Sequence, residues 1–372
     1  MKPLYLDTAA FGGHSYGPAH PMRLERLMLT TELLKAYGIL GDKQVREPQP
    51  ADEEDLLRFH TGEYLDLLVS AGTAAAGSLW RAGMGVADNP VFDGLYDVAR
   101  LSVGASLGAA QAVASGEWGA AFNIAGGMHH AMPGRASGFC YLNDAVVAIA
   151  WLVDRGCRVA YVDLDAHHGD GVQAAFYGTD QVLTISLHQS GRTLFPGTGF
   201  EYEVGTGSGT GYSVNVPLLP HSGDESFLLA FESVVPPLLA AYCPEVVMTQ
   251  LGVDPLRSDP LAMLDLTTNA FEHAVRRFKD LCPKWVALGG GGDDLNNVPR
   301  AWALAWAIMN GVELPDELPK SYLELAREHG VTAGLLRDEP AGPDDPRCLE
   351  EVHRVLGFLG ERVFPRVRAA GG

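Results

Sequence analysis

Arg158-Val159-Ala160-Tyr161-Val162-Asp163-Leu164-Asp165-Ala166-His167-His168-Gly169-Asp170-Gly171 reads as a strand that runs into a polar cluster. Residues 158–164 (RVAYVDL) are apolar and rich in β-branched side chains, as in a parallel strand buried on both faces. Continued alternation beyond the strand would turn Asp163, Asp165 and His167 the same way. Three such groups crowded at a buried strand end call for a cation to offset the cost of burying them. The plainer reading is that the carboxylates cap the following helix.

Outward from this segment, Ala121–Ile124, Val182–Leu187 (VLTISL), Glu245–Gln250 (EVVMTQ) and Trp285–Leu288 (WVAL) have the same short apolar character. Helical periodicity covers Leu24–Tyr37, Leu95–Ser115 and Asn143–Arg155, each stopped by a glycine, and further helices fall near Glu225–Ala241 and Thr267–Leu281. Alternating strands and helices predict an α/β fold with a parallel sheet and right-handed crossovers. Four strands then end on polar groups. Ala121–Ile124 leads to Gly126-Gly127-Met128-His129-His130, Glu245–Gln250 to Leu251-Gly252-Val253-Asp254, and Trp285–Leu288 to Gly289-Gly290-Gly291-Gly292-Asp293-Asp294. The carboxyl ends of the strands are where open parallel sheets place their sites.

Asp254 would complete a set of two carboxylates and one imidazole with Asp165 and His167. Three protein ligands leave a position open for water and a substrate carbonyl. Mixed nitrogen and oxygen ligation fits zinc and would also accept ferrous iron or cobalt. Water activated at a metal needs a base, and a leaving amine needs an acid, roles that suit His129 and His130. Asp163 and Asp170 are placed to orient these imidazoles. The alternative for the pair is two solvated loop histidines.

The 372 residues, 47% of them hydrophobic, with 44 glycines, suit one large loop-rich α/β domain. The only clear Pro/Asp-rich break is Asp338–Arg347 (DEPAGPDDPR). Residues 1–315 are therefore expected to form the catalytic body and 316–372 a C-terminal helical appendage of the same domain. Against 46 acidic residues stand 27 Lys and Arg, a net charge of −19, which argues against a nucleic-acid partner. The acidic surface instead favours cationic ligands such as lysine-bearing segments or polyamines, or serves only solubility. Five cysteines without a C-x-x-C pair predict a reducing compartment. The N-terminus has no apolar leader and every apolar run is interrupted, so a cytoplasmic protein without a membrane span is expected.

The segments GGMHHAMPGRASGFCYLNDAVVAIA, YVDLDAHHGDGVQAAFY, SLH, LFPGTG, LGVDPL and GGGG followed by NVPRAW, in this order, resemble the histone deacetylase family, and within it the bacterial acetoin-utilisation deacetylases. The similarity runs from His20 to about Asn310. It implies the arginase/deacetylase fold and metal-assisted hydrolysis of an acylated amine, with an acyl-lysine in a protein or a small acylated amine as substrate. Carried onto these positions, the metal ligands are Asp165, His167 and Asp254. His130 is the principal general base and acid, His129 its electrostatic partner, and Asp163 and Asp170 their buried supports. A potassium ion would sit at Asp163, Asp165, His167, Ser186 and the Leu187 carbonyl. Phe139 and Phe195 would wall the acyl-lysine tunnel beside Gly138, Asp88 would be the rim carboxylate, and Arg26 would lie in the internal channel. From the residues alone each Phe could be core, Asp88 a turn residue and Arg26 a partner in a helix-surface ion pair.

One position departs from the family. Asp293 stands where a tyrosine hydroxyl donates to the substrate carbonyl, and losing such a donor costs on the order of 10²–10³ in rate. Three readings follow. Asp293 is held protonated by burial and by Asp294; or it swings away or binds a polar part of an unusual substrate while a tyrosine such as Tyr16 substitutes; or the protein binds acylated ligands without turning them over. A ureohydrolase of the same fold would need two manganese ions and an Asp-x-Asp pair, where Val253-Asp254-Pro255-Leu256 offers one carboxylate.

Overall fold

The structure, a computed structural model, describes residues 3–370. Eight strands, β1 Leu4–Leu6, β2 Val45–Arg46, β3 Ala120–Asn123, β4 Val159–Asp163, β5 Val182–Gln189, β6 Ser213–Leu218, β7 Val246–Gln250 and β8 Trp285–Leu288, form one sheet in the order β2-β1-β3-β8-β7-β4-β5-β6. Every neighbouring pair is parallel. Register brings the strand ends level: Ser186, Asp163, Gln250, Leu288 and Asn123 lie in a row across β5, β4, β7, β8 and β3. The loops that follow these strands therefore open side by side at one edge of the sheet.

Strand alternation divides the core. Val159 and Tyr161 of β4 pack with the helices Leu95–Ala114 and Asp144–Val153. Ala160 and Val162 face the opposite layer, built from Glu25–Ala36, Asp224–Tyr242, Thr268–Leu281, Val298–Asn310 and Pro346–Arg362. Apolar burial on both faces is what the continuous hydrophobic run of β4 demands.

Several elements carry no clear sequence signal. β1 and β2 are three and two residues long, too short for any periodicity. β6 (SVNVPL) contains Pro217, which a ladder tolerates at an edge, and β6 is an edge strand. The helix Val298–Asn310 is buried around almost its whole circumference, so it shows no polar stripe.

The C-terminal segment closes the larger layer. Pro346–Arg362 lies against Asp224–Tyr242 and β6 and buries Val352, Val355 and Leu359 in the common core. Ahead of it, Asp338 accepts hydrogen bonds from the Thr268 backbone N–H (2.9 Å) and from Arg300 Nη1 (2.8 Å), which fixes the Pro/Asp-rich stretch to the body. Among the described residues no helix is long and apolar enough to cross a membrane.

Candidate active site

β4 ends at Asp163, and the chain beyond it does not continue the alternation. Two side-chain turns replace it: Asp165 N–H donates to Asp163 Oδ1 (3.0 Å) and His167 N–H donates to Asp165 Oδ1 (3.0 Å). They bring Asp165 and His167 to Asp254, on the loop after β7, whose Oδ1 accepts the Ala166 N–H at 2.8 Å. His167 Nδ1 lies 2.8 Å from Asp254 Oδ2 and 3.2 Å from Asp165 Oδ1. One ligand atom from each of the three residues falls within 4.8 Å of the other two. The glycine run lets main chain approach the carboxylates: Gly291 N–H donates to Asp165 Oδ2 at 2.7 Å, and a Cβ at Gly291 would sit 2.4 Å from Asp254 Oδ2.

Both carboxylates are buried. Burial and the adjacent Asp165 charge hold the Asp254 carboxyl well above its ordinary range, while the two acids together outweigh burial and raise His167. Such crowding of negative charge is what a divalent cation relieves, so the donor set fits a single metal ion with two oxygens and one nitrogen.

The tandem histidines lie beside this cluster, with ring centroids 4.0 Å apart. His129 Nδ1 is 2.9 Å from Asp163 Oδ2, which also accepts the Tyr161 hydroxyl at 2.8 Å. His130 Nδ1 is 2.7 Å from Asp170 Oδ1, at the start of the helix Asp170–Phe176. The two imidazoles are pushed apart. Burial alone would lower His129, but Asp163 and Asp165 outweigh it and push the ring up to about 9. His130 is lowered to about 4 by burial and by the positive His129, against the pull of Asp170.

A cavity of about 250 Å³ opens onto this group. Phe139 and Phe195 flank it, the Phe195 ring 5.0 Å from His130, and Gly138 lies between them. A Cβ on Gly138 would stand 2.5 Å from His130 and 2.8 Å from Phe195, so the wall needs glycine there. Asp88 is exposed at the mouth, its carbonyl 3.2 Å from His20 Nε2. Asp293 lines the same cavity. Its N–H donates to Asp259 Oδ2 (2.8 Å), and its Oδ1 is enclosed without a protein partner among the described residues. Burial raises the Asp293 carboxyl, against the pull of Arg26.

Other expected residues lie outside this cavity. Asp163 and Asp170 stand behind the histidines. Arg26 is buried rather than on a helix surface: Nη1 donates to the Gly292 carbonyl at 2.8 Å, the guanidinium lies over Trp302, and it lines a separate inner cavity of about 30 Å³. Ser186 neighbours Asp163 across the sheet with its hydroxyl 2.7 Å from His188 Nδ1, while the Leu187 side chain is in the core. Two readings of Asp293 need correction. Tyr16 donates to the Phe139 carbonyl (3.1 Å) and lines the inner cavity, so it does not replace the missing tyrosine. Asp294 is turned away, accepting from Ser258 Oγ and Asn296 N–H. The acid that meets Asp293 is Asp259, raised to about 6 chiefly by burial.

Asp259, which follows Asp254 by five residues in the same loop, and Tyr161, whose hydroxyl donates to Asp163, are marked for these contacts by no motif in the sequence. Asn143 and Asp144 are marked only by their position at the start of an apolar helix, a capping signal.

Comparison with known proteins agrees with this geometry. The histone deacetylase domain model matches residues 20–309. The acetoin utilization protein AcuC of Bacillus subtilis is 40% identical over 329 residues, 86% of this chain and 85% of that protein. The histone deacetylase RPD3 of Saccharomyces cerevisiae is 38% identical over 318 residues, 85% of this chain and 73% of its own length. The crystal structure of an HDAC homolog from Aquifex aeolicus superposes with a TM-score of 0.89 at 34% identity, covering 96% of this chain and all of the other. One parallel sheet, a two-carboxylate and one-imidazole cluster at its strand ends, and a domain match over most of the chain lead to one conclusion: the protein belongs to the histone deacetylase family, enzymes that hydrolyse acetylated amines.

Proposed function

We propose that the protein is a zinc-dependent deacylase that cleaves the amide of an acyl-lysine in a protein or of a small acylated amine such as an acylpolyamine, with reduced activity on plain acetyl-lysine. The observation that carries this reading is the convergence of Asp165, His167 and Asp254 with the paired imidazoles on one cavity. The donor set favours zinc and accommodates ferrous iron or cobalt. When bound, such an ion supplies Lewis acidity toward the acyl carbonyl and lowers the pKa of water. His130, neutral at physiological pH, accepts the proton of the attacking water and returns it to the leaving amine, with Asp170 fixing its ring. His129, kept cationic by Asp163 and Asp165, stabilises negative charge as it develops.

Phe139, Phe195 and Gly138 enclose the aliphatic stem of the substrate, Asp88 grips its backbone at the rim, and Arg26 lies in the inner channel. Asp163, Asp165, His167, Ser186 and the Leu187 carbonyl are assigned to potassium, which would anchor the strand ends. The five free cysteines support a reducing, cytoplasmic setting. Asp293 supplies no donor when ionised, which is the reason for the reduced activity on acetyl-lysine.

That its Oδ1 is enclosed without a protein partner among the described residues also favours a second reading, a protein that binds acyl-lysine without turnover. A panel of acyl-lysines and acylpolyamines, assayed with and without chelator alongside metal analysis, separates the two. Chelator-sensitive turnover with one metal equivalent supports the deacylase. Hydroxamate binding without turnover on any member supports the binding protein, and two manganese equivalents would overturn both in favour of a ureohydrolase.

A further inference from the structure

We infer that Asn143 and Asp144 are positioning residues that clamp the main chain of the tandem-histidine loop from both sides. The inference rests on the reading of His129 and His130 as the proton-moving pair. Asp163 and Asp170 fix how the two rings are turned, but a ring is only as well placed as its Cα. The loop from Gly126 to Ala131 belongs to no strand or helix, so its buried peptide groups must find partners elsewhere.

The partners come from two adjacent side chains at the start of the helix Asp144–Val153, both fully buried. Ahead of the histidines, Asp144 Oδ2 accepts the Gly127 N–H (2.9 Å) and Oδ1 accepts the Met128 N–H (2.7 Å). Beyond, Asn143 Nδ2 donates to the His129 carbonyl (3.2 Å) and to the Ala131 carbonyl (3.0 Å). The Gly171 N–H donates to the same His129 carbonyl at 3.1 Å, which ties the loop to the residue after Asp170. There is no slack in this arrangement. A Cβ on Gly171 would lie 2.5 Å from the Ala131 oxygen and 2.7 Å from Asn143 Nδ2, and one on Gly126 would lie 2.5 Å from Asp144 Oδ2. A displacement of the loop by about 1 Å is enough to cost on the order of 10²-fold in rate.

Asn143 also caps its helix: Oδ1 accepts the Val146 N–H at 3.0 Å. The two roles use different atoms, so they separate by substitution. Asn143→Asp keeps a capping oxygen and removes both N–H donors, and Asn143→Ser keeps a neutral capping oxygen on a side chain one bond shorter than the amide, which has no Nδ2 to donate to the two carbonyls. If Asn143 were only a cap, both variants would match the parent.

The test uses metal-loaded protein labelled with ¹⁵N at histidine. The readouts are the hydrogen-bonded imidazole N–H resonances of His129 and His130, with His188, buried and 2.8 Å from the Gly199 carbonyl, as the control. In both folded variants the first two are expected to shift or broaden while His188 holds. Where the parent turns over an acyl-lysine peptide, kcat should fall roughly 10- to 100-fold, with KM and hydroxamate affinity changed by no more than about twofold. Unchanged His129 and His130 resonances in either folded variant would overturn the clamp. A parent without turnover on any acyl-lysine would instead count against the proposed function, and the resonances would still decide the clamp.

Discussion

The two walls of the cavity are finished to different degrees. On the wall made by the loops after β3, β4 and β7, each side chain of the cluster has a main-chain or side-chain partner on the same wall. Asp254 accepts Ala166 N–H, Asp165 accepts His167 N–H, and the two histidines rest on their own carboxylates. On the wall made by the loop after β8, Asp293 Oδ1 is enclosed with no protein partner among the described residues, and Asp293 meets Asp259, from the loop after β7, only through its backbone N–H. Rate enhancement comes from groups fixed before the substrate arrives. The first wall meets that condition. On the proposed reading the second places a carboxylate where charge would develop, which would put the weakness of the site in one residue rather than in its metal end.

The largest expected effect lies on the finished wall. His130→Ala should lower turnover on the best acyl-lysine substrate by roughly 10²–10⁴, with metal content and hydroxamate binding kept, because none of the three ligands depends on that ring. Steady-state assays paired with metal analysis check this. A variant retaining more than about a tenth of parental turnover would break the comparison, since the proton would then be moved by a group elsewhere.

The opposite wall predicts a gain. Asp293→Tyr should raise deacetylation of a plain acetyl-lysine peptide by roughly 10²–10³ by restoring a donor and removing a carboxylate from the cavity. Parent and variant are compared in kcat/KM on the same peptide. A variant no faster than the parent would show that Asp293 is not what limits that wall.

How much of this could be read from sequence follows from the kind of contact involved. β4, β7 and β8 carry long enough apolar runs to announce themselves, and the residues after them are contiguous motifs, so the grouping of Asp165, His167 and Asp254 was legible. Side-chain turns at Asp163 and Asp165, rather than the strand alternation expected from the sequence, swing His167 into place. β1, β2 and the helix Val298–Asn310 were illegible because two or three residues hold no period and an all-round apolar helix has no stripe. Asn143, Asp144 and Asp259 escaped for a different reason. They act on main-chain groups of distant loops, and a peptide N–H or carbonyl leaves no mark in the sequence of the residue that owns it. Asp293 was legible as a departure, but its true neighbour was not, since Asp259 and Asp293 lie far apart in the chain and meet only in the fold.

The smallest effect concerns stability and tests how finished the first wall is. His60 is buried beneath the histidine loop, where its Nε2 accepts the Asn143 N–H at 3.0 Å, a bond that only the neutral ring can make. Burial lowers this imidazole to about 4, against a partial pull from the Pro133 and Met132 carbonyls. The unfolded chain therefore binds a proton at His60 between about pH 6.5 and 4 that the folded chain refuses, and stability falls as pH falls through that window. Each unit of displacement corresponds to roughly 1.4 kcal/mol. His130 and His188, also held near 4, add to the same acid limb, so removing His60 should make it shallower without abolishing it. In His60→Gln, whose amide oxygen is able to accept the same N–H, thermal midpoints measured between pH 7 and 4.5 should decline less steeply than in the parent. An unchanged slope would mean that His60 is protonated in the folded protein and that the ground under the histidine loop is less rigid than its hydrogen bonds imply.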